Sequence, residues 1–346
     1  MEKIFVSQLS RGQTVESIFL VKEKNLTKTK SGNPYLSIRL ADRTGEVEGR
    51  IWDNALDFAP LFEKDDFVKI RGEVDEYQGM QQIRVQKLRK CGDQEIRLED
   101  FLPKSSRDPE DMFIELKEIA SRVKRPFLRQ LLDRFFEDED FAKKIKWAPA
   151  AKSVHHVFLG GLLEHTLSVT RLVLRIIPHY EGLDEDFLIA GAILHDIGKI
   201  EELSYQRNFD YTDAGRLLGH IILTVEMIDE KLRMVPEFPE SSAMLLKHMI
   251  LSHHGEFVFG SPKRPETLEA LLLHYVDDLD AKMNAFMAWI EKEKDDPSRW
   301  TAYHKLFDRF ILKPEKIEDS MAADHDGLPG SSVKKFDMEA QDAKKD

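Results

Sequence analysis

The sequence contains a single cysteine, Cys91, among 346 residues. One thiol cannot form an intrachain disulfide, and a zinc site built on cysteines needs several thiolates. Long apolar runs are also missing, because no uninterrupted stretch reaches the roughly 18 residues that a membrane span requires. The N-terminal segment has neither an apolar run nor a small-residue cleavage site. We therefore expect a cytoplasmic protein without a membrane partner.

An excess of positive charge is missing as well, since the formal net charge is −12. The charge is unevenly distributed: residues 1–95 contain 16 basic and 16 acidic residues, so the whole excess of acid lies in the remainder. Affinity for nucleic acid depends on local basic surface and not on the total. The composition is therefore only weak evidence against a nucleic-acid partner.

The first 95 residues have the period-2 pattern of half-buried strands. Leu36, Ile38 and Leu40 alternate with polar or exposed positions, and three further segments and an early one at 14–26 behave in the same way. A short helix is predicted over 55–62, between the third and fourth strands. Five strands in this arrangement predict a small Greek-key barrel of the OB kind over residues 1–95.

The remainder has a helical texture, which gives a multidomain fold class with a β-barrel followed by an all-α domain. A polar stretch around Pro103 opens a linker and helical segment that we place at 96–145. Apolar residues then recur at spacings of three and four over the all-α domain, placed at 146–312. Residues 313–346 have few large apolar groups and are predicted to form a disordered tail.

Nine of the twelve histidines lie between His155 and His254, inside the helical part. Imidazole nitrogens and carboxylate oxygens suit Mn²⁺, Fe²⁺, Co²⁺, Ni²⁺ or Zn²⁺. Seven candidates are enough to bind two divalent ions, with Asp196 as the natural bridge between them. The candidate ligands are His165, His195, Asp196, His220, His253, His254 and Asp277.

These residues resemble the HD phosphohydrolase superfamily. His165, His195-Asp196 and Asp277 match its H…HD…D signature, and the other histidines match the additional ligands of its dinuclear members. The resemblance implies that Lys199 approaches a substrate phosphate and that Asp196 is catalytic. An OB domain before the HD domain, with Gly-Gly-Leu-Leu-Glu-His-Thr at 160–166 and Leu-Ser-His-His-Gly-Glu at 251–256, resembles the bacterial YhaM-type 3′→5′ exoribonucleases over residues 1–310.

Several assignments stay open at this point. Asp277 is favoured over Asp278 because it occupies the family's aspartate position. His155 and His156 could contact the phosphate or protonate the leaving oxygen, or could serve packing; His156 is the candidate we retain as catalytic. Glu164, beside a candidate ligand, is expected to hydrogen-bond an imidazole. Structural roles are expected for the other histidines, which are His179, His248, His274, His304 and His325.

The outward positions of the barrel offer aromatic and basic side chains for nucleic acid. Aromatic faces stack bases, while cations follow phosphates. The competing interpretation is that Trp52 packs under the helix at 55–62 and that the charges are ordinary surface. The candidates are Lys28, Lys30, Tyr35, Arg39, Arg50, Trp52, Lys69 and Arg71.

The residues and the resemblance together predict an exoribonuclease that hydrolyses single-stranded RNA to nucleoside 5′-monophosphates, with single-stranded DNA left open as a second substrate. The 3′→5′ direction is what the resemblance implies. Two divalent ions are expected, with Mn²⁺ as the first choice and Fe, Co, Ni, Zn or Mg as alternatives. One rival is a phosphohydrolase of nucleotides or cyclic dinucleotides, and another is a non-catalytic RNA-binding module. A homo-oligomer is left open.

Overall fold

A computed structural model describes residues 3–152, 158–205, 207 and 209–314. The described residues form two compact units, divided between Ala288 and Trp289. His155, His156 and the predicted tail from residue 315 onward lie outside the described residues. Among the described residues, no helix combines the length and apolar character that crossing a membrane requires.

The N-terminal part is a closed five-stranded barrel with the strand order β1-β2-β3-β5-β4. The prediction of an OB barrel is confirmed, including a short helix between the third and fourth strands. β3 and β5 pair in parallel and close the barrel, whereas the other pairs are antiparallel. The elements are β1 (Thr14–Lys28), β2 (Pro34–Asp42), β3 (Gly45–Ile51), α1 (Ala55–Phe58), β4 (Phe67–Tyr77) and β5 (Met80–Lys90).

The alternating apolar residues of the strands fill the barrel. Leu36, Ile38 and Leu40 of β2 are almost completely buried, as are Val68 and Ile70 of β4. Because successive side chains of a strand point to opposite faces, the intervening positions lie on the outer surface. This outer surface is where the candidate nucleic-acid-binding residues are found.

Helices and one small hairpin make up the rest of the first unit. Asp108, Asp138 and Asp184 cap three helix N-termini by accepting backbone N–H groups. The elements are α2 (Pro109–Ala120), α3 (Pro126–Phe136), α4 (Glu139–Trp147), α5 (Gly161–Ile176), α6 (Glu185–Leu194), α7 (Lys199–Glu202), β6 (Leu203–Ser204), β7 (Asp210–Tyr211), α8 (Asp213–Leu217), α9 (Gly219–Leu232), α10 (Glu240–Ser252) and α11 (Leu268–Lys292).

One hydrophobic core joins these helices. Helices α2, α3 and α4, from the segment that the sequence grouped with a linker, contribute side chains to the same core as α5 and α6. Helix α6 is central, since every residue after Glu185 is buried. A helix buried on all sides fixes the position of whatever follows it, and the residues that follow it are His195 and Asp196.

Candidate metal centre

Five helices bring the seven candidate ligands to one place. His165 lies in the second turn of α5, and His195-Asp196 follows α6 directly. The other four come from the start of α9, the end of α10 and the middle of α11, and they are His220, His253, His254 and Asp277. The side chains form two clusters, each with its ligand atoms within 4.8 Å of one another.

The inner cluster consists of His165, His195, Asp196 and Asp277. The Nε2 atom of His165 lies 3.1 Å from Asp277 Oδ1 and 3.5 Å from Asp196 Oδ2. The Nε2 atoms of His165 and His195 are 3.3 Å apart. Three of the four residues are at most 2% exposed, so their charges are little screened by water.

The outer cluster consists of His220, His253 and His254. Its rings lie close together, with the centroids of His253 and His254 4.4 Å apart. Asp196 connects the two clusters through its two oxygens. Its Oδ2 atom faces His195 of the inner cluster at 3.4 Å, and its Oδ1 atom faces His220 and His253 at 3.4 and 3.5 Å. Asp196 therefore stands between the two clusters with one oxygen toward each.

All five histidines are oriented by their second ring nitrogen. The Nδ1 atoms of His195, His253 and His254 lie 2.9, 2.7 and 3.0 Å from backbone carbonyl oxygens, to which each can donate. Those of His165 and His220 pair with carboxylates, Asp280 at 2.8 Å and Glu202 at 3.0 Å. A proton on Nδ1 leaves the lone pair on Nε2 for a metal ion.

Electrostatics favour ligating protonation states for Asp196, Asp277, His253 and His254. Burial would raise the pKa of Asp196, but Lys199 and His195 outweigh it and hold this pKa well below its usual range. Burial would lower the pKa of His195, yet the adjacent Asp196 carboxylate raises it to about 9. Burial and the neighbouring His253 lower the pKa of His254 to about 3. A cation entering the inner cluster would therefore displace imidazole protons, whereas His254 is already neutral.

The donor set fits a divalent metal in each cluster. Asp196 Oδ1, His220 Nε2 and His253 Nε2 are buried and have no hydrogen-bond partner among the described residues. An unsatisfied buried polar group costs about 1–3 kcal/mol. The two histidine nitrogens lie 3.4 and 3.5 Å from Asp196 Oδ1, so the three atoms face one another. A cation that accepts nitrogen and oxygen ligands would satisfy all three.

A cavity of about 200 Å³ opens onto the clusters. Lys199 lies on its wall together with His253, His254 and Asp277. The Lys199 ammonium contacts Asp196 Oδ2 at 2.5 Å, and this carboxylate contributes to raising the pKa of Lys199 against the effect of burial. The lysine that the family resemblance assigns to the substrate phosphate is thus a half-buried, charged group at the edge of the metal centre.

Two glycines permit the close packing of the ligand segments. A Cβ atom at Gly198 would lie 2.3 Å from the backbone carbonyl oxygen of His220. Gly255 has φ +79°, and a Cβ there would lie 2.3 Å from the ring of His274. Gly198 therefore lets the start of α9 approach the His195-Asp196 corner, while Gly255 ends the segment that carries the histidine pair.

The structure also places the residues that the sequence left open. Asp277 lies in the inner cluster, whereas Asp278 belongs to neither cluster; it lines the cavity and forms an ion pair with Lys282 at 2.7 Å. Glu164 accepts a hydrogen bond from the Ser105 hydroxyl, and the imidazole of His165 is held by Asp280 instead. His248 accepts a backbone N–H from Glu266, which is a structural role.

Asp280 and Glu202 contact the second ring nitrogens of His165 and His220, and neither was expected from the sequence. Asp280 is 4% exposed and also accepts a hydrogen bond from Ser168. Its position three residues after Asp277 on a predicted helix was a usable signal, because residues three apart share a helix face. Glu202 reaches His220 across 18 residues, and no sequence spacing indicates that contact.

The barrel candidates fall into two groups. Tyr35 and Trp52 stack, with ring centroids 4.6 Å apart, and the Arg50 guanidinium lies 5.4 Å from the Tyr35 ring. Trp52 is 44% exposed, so it is not packed away beneath α1. Lys28 ends β1 and Lys30 follows in the loop to β2, at the same end as this pair. Arg39 also lies on β2, between Glu23 and Glu46.

Lys69 and Arg71 lie on β4, which neighbours β1 and β5 but not β2 or β3. Lys69 is paired with Glu16 at 2.9 Å and stands opposite Arg89 on β5. Arg71 stands opposite Lys87. These two residues therefore belong to a different side of the barrel from the Tyr35–Trp52 pair.

Comparisons with known proteins agree with this architecture. The model of the HD domain matches residues 162–282, and that of the OB-fold nucleic acid binding domain matches residues 20–90. Fold and site together define a metal-dependent phosphohydrolase of the HD superfamily with an N-terminal OB barrel.

The relatives narrow this class. The chain is 34% identical over 305 residues to the 3′-5′ exoribonuclease YhaM of Bacillus subtilis (strain 168), covering 88% of this chain and 96% of the relative. It is 33% identical over 305 residues to the YhaM protein of Geobacillus sp. (strain WCH70), covering 88% and 93%. The chain belongs to the YhaM family.

Proposed function

We propose that this protein is a divalent-metal-dependent 3′→5′ exoribonuclease that shortens single-stranded RNA, and also single-stranded DNA, by nucleoside 5′-monophosphates. The observation that carries the proposal is Asp196, which faces a histidine cluster with each of its oxygens, in a chain whose relatives are named as exoribonucleases.

The inner cluster would bind one metal ion and the outer cluster a second, with Asp196 shared; Mn²⁺ is the first choice. Ions bound there would lower the pKa of water and neutralise negative charge on the phosphate. The chain's own contribution is orientation. Five imidazoles are fixed through Nδ1, and the Lys199 ammonium is held at the cavity wall, where a non-bridging phosphate oxygen would accept its hydrogen bond.

In the reaction, a water oxygen attacks the phosphorus of the last phosphodiester. The bond from phosphorus to the 3′ oxygen of the penultimate nucleotide breaks, and this oxygen leaves as a hydroxyl after gaining a proton. The barrel would hold the upstream strand, with bases on Trp52 and Tyr35 and phosphates near Arg50 and Lys28. We assign residues 1–95 to binding and 146–312 to hydrolysis.

A gel time course tests the proposal. Purified protein with Mn²⁺ is given a 5′-labelled single-stranded RNA, beside Asp196→Asn and the matched control Asp133→Asn, which changes a carboxylate of α3 that pairs with Arg129. We expect a ladder that shortens from the 3′ end for the wild type and the control, and intact RNA for Asp196→Asn. Full activity of Asp196→Asn would contradict the shared-ligand role. Intact RNA with all proteins, together with hydrolysis of small nucleotides, would favour a nucleotide phosphohydrolase.

A further inference from the structure

A short apolar segment stands exposed beside the metal centre. Phe257–Phe259 forms a single 3-10 turn shortly after the histidine pair of the outer cluster. Phe257, Val258 and Phe259 are 59, 86 and 66% exposed. Contiguous apolar groups left in water are marks of a binding site. We call this turn the rim segment.

The rim segment contacts the metal centre through its backbone and lines the same cavity through Phe259. The carbonyl oxygen of Phe259 lies 3.0 Å from Nδ1 of His254. The side of the cavity that Phe259 lines also carries Lys199 and His253. A ligand whose phosphate lies at Lys199 therefore has Phe259 along the wall of the same cavity.

The cavity is too small to enclose a nucleotide. Pockets that enclose small organic ligands have volumes of roughly 300–1,000 Å³, whereas this cavity has about 200 Å³. A phosphate with part of its sugar fits inside such a space, and the base has to lie at the rim. Phe259 lines the cavity and is 66% exposed, which fits a residue at its rim.

The two rings of the rim segment differ in their partners. The Arg264 guanidinium lies 5.1 Å from the centroid of Phe257 and pairs with Glu256 at 2.8 Å. The Phe259 ring has no aromatic or cationic partner within the described part of the chain. Its face is therefore available to a ligand, and a planar base is the partner that an unpaired aromatic face stacks best.

We propose that Phe259 is the stacking platform for the base of the 3′-terminal nucleotide. The inference rests on the proposed function, since it assumes that a nucleotide phosphate lies at the metal centre. Stacking does not distinguish strongly among bases, because each has a π-face. Phe259 would thus give affinity for the terminal nucleotide without sequence specificity, as an enzyme that shortens a mixed sequence requires.

Equilibrium binding tests the platform independently of RNA cleavage. Mn²⁺-loaded protein is titrated with adenosine 5′-monophosphate and with ribose 5-phosphate, which lacks the base. We expect the wild type to bind the nucleotide about 10-fold more tightly, which corresponds to about 1.4 kcal/mol and lies within the range for a base–aromatic stack. Phe259→Ala should abolish this preference for the nucleotide, whereas Phe259→Trp, which has an aromatic face, should retain it. Val258→Ala, the neighbouring exposed residue without a ring, should keep it.

Each outcome bears on the proposal. A preference that survives in Phe259→Ala, or that is lost equally in Val258→Ala, would overturn it. The proposal would also be overturned if the wild type bound both ligands equally and Phe259→Ala lowered the molecular mass of the protein in solution. That result would assign the rim segment to contact between copies of the chain. Wild-type protein that prefers the nucleotide but leaves RNA intact would support the platform and contradict the exoribonuclease. Digestion of RNA without a base preference would overturn the platform alone.

Discussion

Replacement of Asp280 by asparagine removes the charge that holds His165 in its ligating orientation. The carboxylate lies 2.8 Å from Nδ1 of His165 and is 4% exposed. It acts with Asp196 and Asp277 against burial to raise the pKa of His165, which means that it increases the basicity of the ring. Asparagine has nearly the same shape but no charge, and its amide group can turn an N–H toward Nδ1. That would place the ring proton on Nε2, where the metal has to bind.

Loss of a hydrogen-bonding partner behind a metal ligand weakens metal binding about 10- to 100-fold. Because Asp280 is buried and unscreened, we expect the upper end, about 100-fold or about 2.7 kcal/mol. The measurement is Mn²⁺ affinity from chelator competition, with metal content determined by mass spectrometry. Asp278→Asn is the matched control for metal affinity, since it makes the same chemical change two residues away at a carboxylate that belongs to neither cluster. Its affinity should be unchanged.

Two results would refute this reasoning. One is equal metal affinity in Asp280→Asn and Asp278→Asn. The other is a further loss of Mn²⁺ affinity when Asp280→Asn is added to His165→Ala, because the Asp280 charge acts through the His165 ring alone. Thermal unfolding of the metal-free proteins separates a loss of fold from a loss of metal affinity.

Three further predictions follow from other parts of the molecule. Gly198→Ala should lower the free energy of unfolding by about 3 kcal/mol, since its Cβ would lie 2.3 Å from a backbone oxygen that cannot move freely; an unchanged urea midpoint would contradict the close packing. Trp52→Ala should weaken binding of single-stranded RNA by about 1–3 kcal/mol in fluorescence anisotropy, and unaltered affinity would remove Trp52 from the proposed interface. Burial lowers the pKa of Lys3 to about 8. Between about pH 8 and 10.5 the unfolded chain therefore binds more protons at this lysine than the folded chain does, so the free energy of unfolding rises with pH in that range. The rise should be about 1 kcal/mol after allowance for partial exposure. Lys3→Met should remove that rise relative to the wild type, and parallel curves for the two proteins would show that Lys3 does not contribute.

The barrel was predictable because its signal is local. A strand buries alternate residues, so Leu36, Ile38 and Leu40 report both the strand and its inner face before any pairing is known. The same holds for the identities of the candidate ligands. Imidazoles and carboxylates in this order leave few other chemical explanations, and the structure brings all seven together.

Tertiary structure alone decided how these groups are used. The division into two clusters depends on which oxygen of Asp196 faces which ring, and sequence does not encode the direction of a carboxylate. The choice between Asp277 and Asp278 depends on the rotation of α11 about its axis, which packing sets. Three of the five histidines are held by backbone carbonyls, and every residue offers a carbonyl, so these partners leave no mark in the sequence.

The surface of the barrel shows the same limit. Alternation correctly indicates which side chains face outward, yet outward positions on different strands point to different sides of a closed barrel. Tyr35 and Trp52 stack because β2 and β3 are neighbours, whereas Lys69 and Arg71 are separated from them by the strand order. By itself the sequence determined the elements and the chemistry of the donor atoms. Only the fold decided which donors meet, because contacts between distant segments depend on strand order and helix packing and not on local periodicity.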